Sequence, residues 1–370
     1  MKSLISWAVI PEGLHMFMRH QRVRGKYFKR YSGNAKKISM SILSDLWNGS
    51  FMKTSTGHYP VFFSRDFSMM MPSLLALGMK KQIRSSLAYA LYHYHRKGAI
   101  TTFITRKNIP TNFPNVYSPD SVAYMFYSLR LLGDKKLVDK YRVFLQQEVH
   151  KFFSIVVDKK THLVKRKKHF GGMRDHAKRD ASCYDMTMLA LLVREAKTLG
   201  FIVPYKKDPL KLLVKNYWNG SYFRDDLSSL QLTADANIYP FWLGLLKDKK
   251  LLRTMLSSLH KECLDSPFPV RYVKDEREKG DMIFLEKLFV PNWEGDGIWP
   301  MSALPYIQTL AMVNKAQAKK HLAQYTSLIE KYATFIEVYT IKGTPYKSFF
   351  YSADEGMIWC ALYLHLANTL

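Results

Sequence analysis

A chain of 370 residues with 47% hydrophobic and 23% charged residues can bury one large core or two ordinary ones, which excludes a low-complexity or disordered polymer. No window reaches the roughly 20 uninterrupted apolar residues of a membrane span. Cys183, Cys263 and Cys360 are too few and too scattered for a disulfide framework or a zinc spacing, so a reducing, cytoplasmic setting is expected. The formal charge of +26 would alone suggest nucleic acid, anionic lipid or a polyanionic substrate. Basic residues are spread over the whole length, however, with short runs only at 165–168 and 247–250, so a solvated basic surface is expected and no nucleic acid partner.

Apolar residues recur at helical spacing in segments of about 12 to 18 residues, and strand-like alternation is scarce; the class is all-α. In chain order, the apolar start at residues 4–10 stops at Pro11-Glu12, with no clear signal peptide, and residues 1–40 read as a helical lead-in. Trp47-Asn48-Gly49-Ser50-Phe51 is the first turn-rich connection. Gly57-His58-Tyr59-Pro60-Val61-Phe62-Phe63-Ser64-Arg65-Asp66-Phe67-Ser68 then enters an apolar helix over 69–77 that ends at Gly78. His93-Tyr94-His95 does not share one helix face and reads as structural. Tyr117-Ser118-Pro119-Asp120 precedes a helix over 121–132, where an N-cap role and a role near a binding subsite account for Asp120 equally well. Gly171-Gly172-Met173-Arg174-Asp175 and Asp180-Ala181-Ser182-Cys183-Tyr184-Asp185 lead into a helix over 186–199. Further on come Tyr217-Trp218-Asn219-Gly220-Ser221-Tyr222, Thr233-Ala234-Asp235-Ala236-Asn237-Ile238-Tyr239-Pro240, and Asn292-Trp293-Glu294-Gly295-Asp296-Gly297-Ile298-Trp299-Pro300. A helix over 307–313 follows, then Phe335-Ile336-Glu337-Val338-Tyr339, Gly343, and Phe350-Tyr351-Ser352-Ala353 before the last apolar helix.

At about 30 residues per helix and loop, the chain accommodates roughly twelve helices, and no linker divides residues 1–370 into separate domains. Trp47-Asn48-Gly49-Ser50-Phe51 and Trp218-Asn219-Gly220-Ser221-Tyr222 repeat one pattern after a helix, as stacked helical hairpins closing into a double ring would require. Two unrelated Asn-Gly turns give the same pattern. Indoles in polar connections, Trp47, Trp218, Trp293 and Trp299, suit a concave rim on which sugar rings stack.

The segment around Arg65-Asp66 resembles the Arg-Asp motif of glucoamylase-like inverting glycosidases, and the C-terminal Glu337-Val338-Tyr339 with Tyr351-Ser352-Ala353 is similar to the end of the trehalase and processing α-glucosidase families. In those families a Trp stands where this chain has Tyr351. The resemblance implies an (α/α)6 toroid, here without the N-terminal β-domain that many relatives carry. It implies that Arg65 and Asp66 hold sugar hydroxyls and that Glu337 is the general base. The general acid falls among Asp175, Asp180 and Asp185: the family pattern Ser-Gly-x-Asp is one residue shorter than Gly172-x-x-Asp175, and Asp175 fits it best, leaving Asp180 and Asp185 as sugar-binding or structural. Asp120, Asn237 and the rim segment bearing Trp293 and Trp299 match weaker family features that contribute to the subsite.

The implied chemistry is hydrolysis of an α-linked glucoside or related oligosaccharide, without metal or cofactor. One carboxylic acid protonates the leaving oxygen and one carboxylate activates water, with inversion and carboxyl groups about 6.5–9.5 Å apart. Nucleotide loops and a serine elbow are missing from the sequence, and no His-Glu-x-x-His or carboxylate cluster gives a metal spacing. The competing readings are a carbohydrate-binding toroid without catalysis, a basic helical protein for nucleic acid or anionic membrane, and a lyase or epimerase leaning on Tyr, His and Arg.

Overall fold

The computed structural model describes residues 6–23, 29–175, 177–274 and 290–370. Parts of the lead-in read over 1–40 lie outside these residues. The helices among the described residues are α1 (Ile10–Val23), α2 (Ala35–Leu46), α3 (Ser64–Ala76), α4 (Lys80–Lys97), α5 (Pro119–Leu132), α6 (Lys135–Lys140), α7 (Arg142–Val156) and α8 (Cys183–Thr198). They continue as α9 (Pro209–Tyr217), α10 (Ala234–Trp242), α11 (Lys249–Lys261), α12 (Pro300–Ala311), α13 (Lys315–Tyr332) and α14 (Cys360–Thr369).

Helices α3, α5, α8, α10, α12 and α14 pack each on the next, and α14 closes back on α3. Around this inner ring lie α2, α4, α7, α9, α11 and α13, each against inner neighbours. The sequence sorts the two sets by how much of each helix is apolar. Helix α5 buries every residue from Pro119 to Leu129, and α8 every residue from Cys183 to Val193. Such helices are stable only when enclosed on all sides. By contrast α11 buries only Leu252, Met255, Leu256 and Leu259, one stripe at helical spacing, and turns its other faces to water.

Inner and outer helices alternate along the chain, so the six inner helices run parallel and bring their N-termini to one rim. The connections entering these N-termini are long and those leaving the C-termini short, which concentrates loop chemistry at that rim. Two of the entering loops realise the repeated Trp-Asn-Gly-Ser pattern as one turn. Asn48 Oδ1 accepts from the N–H groups of Ser50 and Phe51, Asn219 Oδ1 from those of Ser221 and Tyr222, and Gly49 and Gly220 supply the positive φ that a side chain would strain. Short antiparallel strands brace the same rim: β1 (Phe62–Phe63), β2 (Phe103–Ile104) and β3 (Pro110–Thr111) form one sheet, with Phe62 opposite Ile104 and Phe103 opposite Thr111. β4 (Arg224–Asp226) and β5 (Ser229–Leu232) form another.

Candidate active site

Four inner helices carry an aspartate in their first turn, Asp66 in α3, Asp120 in α5, Asp185 in α8 and Asp235 in α10. The partial positive charge of each helix N-terminus favours an anion there. The remaining two inner helices instead have Trp299 and Trp359 at the N-cap. Convergence of six helix ends therefore produces a rim of carboxylates backed by indoles.

Arg65 ties one side of it together. Its Nη1 donates to Asp120 Oδ2 at 3.2 Å and to the Gly172 carbonyl, and its Nη2 to Asp175 Oδ2 at 3.3 Å. Tyr184 and Ser118 donate to Asp120 as well, at 3.2 and 2.5 Å. Asp175 is further held by the Gly172 N–H at 3.0 Å, while its own N–H donates to Glu294 Oε1 at 2.9 Å. Arg65 Nε is buried without a hydrogen-bond partner. Next to Arg65, Asp66 accepts from Trp359 Nε1 at 2.9 Å, and burial pushes its carboxyl above the ordinary value.

Glu337 lies in a segment stitched to the rim by the bridges Ile298 to Tyr339 and Ile336 to Glu355. Its Oε2 accepts from the Tyr351 hydroxyl at 2.6 Å and from the Asp354 N–H at 2.9 Å. Burial, and then the negative Asp354 beside it, push the Glu337 carboxyl up to about 8. Asp66 contributes in the same direction. The Tyr351 hydroxyl also shares a 2.8 Å bond with Tyr59. Asp354 is held in turn by the hydroxyl of Ser55 and the N–H groups of His58 and Tyr59.

Trp293 links the Glu337 and Asp175 neighbourhoods. Its ring lies 5.1 Å from that of Tyr351 and 5.0 Å from that of Trp299, and it immediately precedes Glu294, the acceptor of the Asp175 N–H. Thus Arg65, Asp66, Asp120, Asp175, Glu337, Trp293 and Trp299 occupy one connected region.

The other residues singled out from sequence lie elsewhere in the network. Asp180 is engaged by Arg166 at 2.6 and 2.9 Å, by Ser228 and by the Lys167 N–H, and the bond from Arg166 holds its carboxyl down at about 2. Asp185 forms a reciprocal cap with Ser182; burial, opposed by Arg179, brings it up to about 6. Asn237 commits its amide to backbone groups of Phe223 and Thr233 at 2.8 Å. Trp47 and Trp218 are half-buried at the ends of α2 and α9, and the Trp218 ring packs on Phe223 at 5.0 Å.

Several members of the site were not picked out from sequence. Glu294 sits between Trp293 and Gly295 in the rim segment that ends at Trp299-Pro300. Asp354 follows the Ser352-Ala353 pair directly. Arg179 bridges Asp225 and Asp235 at 3.3 and 2.7 Å, and Arg174 points its Nε at the Glu294 carbonyl. Burial raises the affinity of Asp235 for a proton, yet Arg179 and Arg174 overcome this and keep its carboxyl below the ordinary range. Among the described residues no group of three or more His, Cys, Asp or Glu side chains is arranged for a metal ion, and no helix is long and apolar enough to cross a membrane. A separate groove of about 360 Å³ between α2, α13 and α14 lies at the C-terminal end of α14, away from these carboxyl groups.

Solved structures share this architecture. A GH63 mannosylglycerate hydrolase from Thermus thermophilus matches 90% of this chain and 100% of its own length, at 12% identity and a TM-score of 0.59. A rhamnosidase from Klebsiella oxytoca matches 91% of this chain and 63% of its own, at 12% identity and 0.63. A wild-type glycosidase matches 97% of both chains at 11% identity and 0.63. No protein-family model matches the sequence, and neither does any curated protein.

Proposed function

Starting from the (α/α)6 toroid that this chain shares with glycoside hydrolases, we propose that the protein hydrolyses an α-linked glycoside, a glucoside or a related oligosaccharide, with Asp175 and Glu337 as the acting carboxyl pair. The observation that carries the reading is Glu337: a buried carboxyl group at the helix-terminal rim, fixed by Tyr351 and the Asp354 N–H. Burial of that kind is costly unless the group is used or neutralised. Its proposed partner, Asp175, is oriented by Arg65 and Gly172.

In an inverting hydrolysis one of the pair donates a proton to the leaving oxygen while the other takes a proton from water attacking the far face of the sugar. Following the family resemblance, Asp175 is the acid and Glu337 the base. Asp66 and the unpartnered Nε of Arg65 are suited to hold sugar hydroxyls, because a carboxylate accepts from vicinal hydroxyls and a guanidinium donates to oxygen. The faces of Trp293 and Trp299 would support the ring. Development of positive charge on the sugar is favoured by the surplus of carboxylates at the rim. Because Glu337 holds its proton up to about 8, only about a tenth of the base is ionised at pH 7, and the acid limb of kcat/KM should lie on the alkaline side.

The same environment favours a second reading with the roles exchanged. Burial pushes the Glu337 carboxyl up to about 8, as suits a general acid, while Asp175 is paired with Arg65 at 3.3 Å. Glycosyl fluorides distinguish the two, since fluoride leaves without a proton: the variant lacking only the acid keeps turning them over. A screen of α-linked disaccharides, α-glucosides and the matching fluorides, followed by NMR of the released anomer, tests activity, linkage and inversion together. Absence of turnover on all of them, with sugar binding retained, would replace the proposal with a binding toroid. We place the protein in the cytoplasm, a setting consistent with its three unpaired cysteines.

A further inference from the structure

Helix α1 is turned inside out. Its body-facing side carries polar groups: Glu12 accepts from the Arg106 backbone N–H and guanidinium, His15 approaches the Gly57 carbonyl, Arg19 pairs with Glu355, and His20 is fully buried between Ser352 Oγ and the Phe349 carbonyl at 2.9 Å each. Its outer side is apolar. Trp7, just before the helix, is 87% exposed and Leu14 56% exposed, with Ile10, Phe17 and Met18 exposed beside them. Positions 7, 10, 14, 17 and 18 follow helical periodicity and form one stripe. Phe349, whose carbonyl meets His20, is likewise 67% exposed. A water-facing helix normally has the opposite polarity, and an exposed apolar stripe of this continuity marks a contact surface.

We infer that this stripe docks the protein on an anionic lipid surface. Charge selects that occupant. Two copies of a chain with formal charge +26 repel each other, whereas a negatively charged bilayer attracts both. The helix carries one acidic residue, Glu12, which is buried against Arg106. Exposed cations stand at both ends of the stripe, Arg22 on the last turn of α1 and Lys107 next to the Arg106 that grips its first turn. Trp, Phe, Leu and Ile beside basic groups are the composition of helices that lie in the plane of a membrane interface. The polar side that such a helix usually gives to water is here occupied by the protein. The loops it grips, at Gly57 and 349–355, include the Asp354 and Tyr351 that hold Glu337, so docking brings the carboxylate rim near the lipid headgroups.

Flotation of the full chain with phosphatidylcholine vesicles containing phosphatidylglycerol, compared with phosphatidylcholine alone, tests the inference. Binding is expected to the anionic vesicles, weakened by salt, and at least tenfold weaker for the double variant Leu14→Ser, Phe17→Ser. Both positions are exposed, so circular dichroism should show an unchanged fold; if that variant does not fold, Arg22→Glu, also exposed, should reduce binding on its own. No binding to the anionic vesicles, or equal binding by correctly folded variants, overturns the proposal. So does a concentration-dependent dimer in sedimentation velocity that the same substitutions abolish, since it would assign the stripe to a second copy.

Discussion

Replacing Tyr351 by Phe removes one hydroxyl and leaves the ring that packs against Trp293 and His58. That hydroxyl donates to Glu337 Oε2 at 2.6 Å, within the short range of a charge-assisted bond once the carboxyl ionises. Such a bond favours the anion, and it opposes the upward push of burial and Asp354. Hydrogen bonds to charged groups contribute about 1.5–3 kcal/mol, and one pKa unit corresponds to about 1.4 kcal/mol, so the Glu337 titration should move upward by about one to two units. The Asp354 N–H remains at 2.9 Å and prevents a larger shift. Carbon-13 NMR of glutamate-labelled protein measures this without a substrate, the Glu337 resonance being assigned by its loss in Glu337→Gln. With a substrate in hand, the acid limb of kcat/KM should move by the same amount if Glu337 is the base. An unchanged titration would show that the Tyr351 contact does not stabilise the Glu337 anion, and the account of its electrostatics would fail.

Glu337→Gln should also flatten the pH dependence of stability. The folded-state pKa of about 8 exceeds the ordinary 4.5, so the contribution of the neutral carboxyl is fully present below about pH 4.5 and is lost as pH rises through about 8. The variant should therefore gain in Tm relative to the native protein between pH 5 and 9, and parallel curves would contradict the buried environment. Asp175→Asn should abolish hydrolysis of unactivated glycosides, whereas Asp180→Asn, whose carboxyl is occupied by Arg166 and Ser228, should leave kcat within about threefold; the reverse outcome would move the pair to Asp180. Arg65→Ala should lower stability by about 3–5 kcal/mol in denaturant unfolding, because Asp120 and Asp175 lose their buried counter-charge. A loss below about 1 kcal/mol would mean that Tyr184, Ser118 and the Gly172 N–H suffice.

Periodicity determined the class; the roughly twelve helices expected from chain length correspond to the six inner and six outer helices of the double ring, and the described residues add α1 and the short α6 to make fourteen. The Trp-Asn-Gly-Ser repeat was also legible, since an Asx turn is closed by its own residues within five positions. Glu337 and the Arg65-Asp66 pair stood out because each sits in a short motif with a chemical reason for its spacing.

What the sequence left open depended on partners far along the chain. Asp175, Asp180 and Asp185 are three aspartates of one loop and helix start, alike in composition, and they are separated only by Arg65, Arg166 and Ser182, which draw them to different places. Glu294 and Asp354 gain their meaning from the N–H groups of Asp175 and of His58 and Tyr59, long-range contacts that no local pattern encodes. The outward apolar stripe of α1 is of the same kind. Its spacing marks a helix with one apolar face, but which face meets the body was decided by the buried bonds of Glu12, Arg19 and His20. Local sequence thus determined which segments are helices and where charged motifs begin, because those depend on neighbours in the chain; closure of the ring decided which charges meet, because electrostatics and burial act through space.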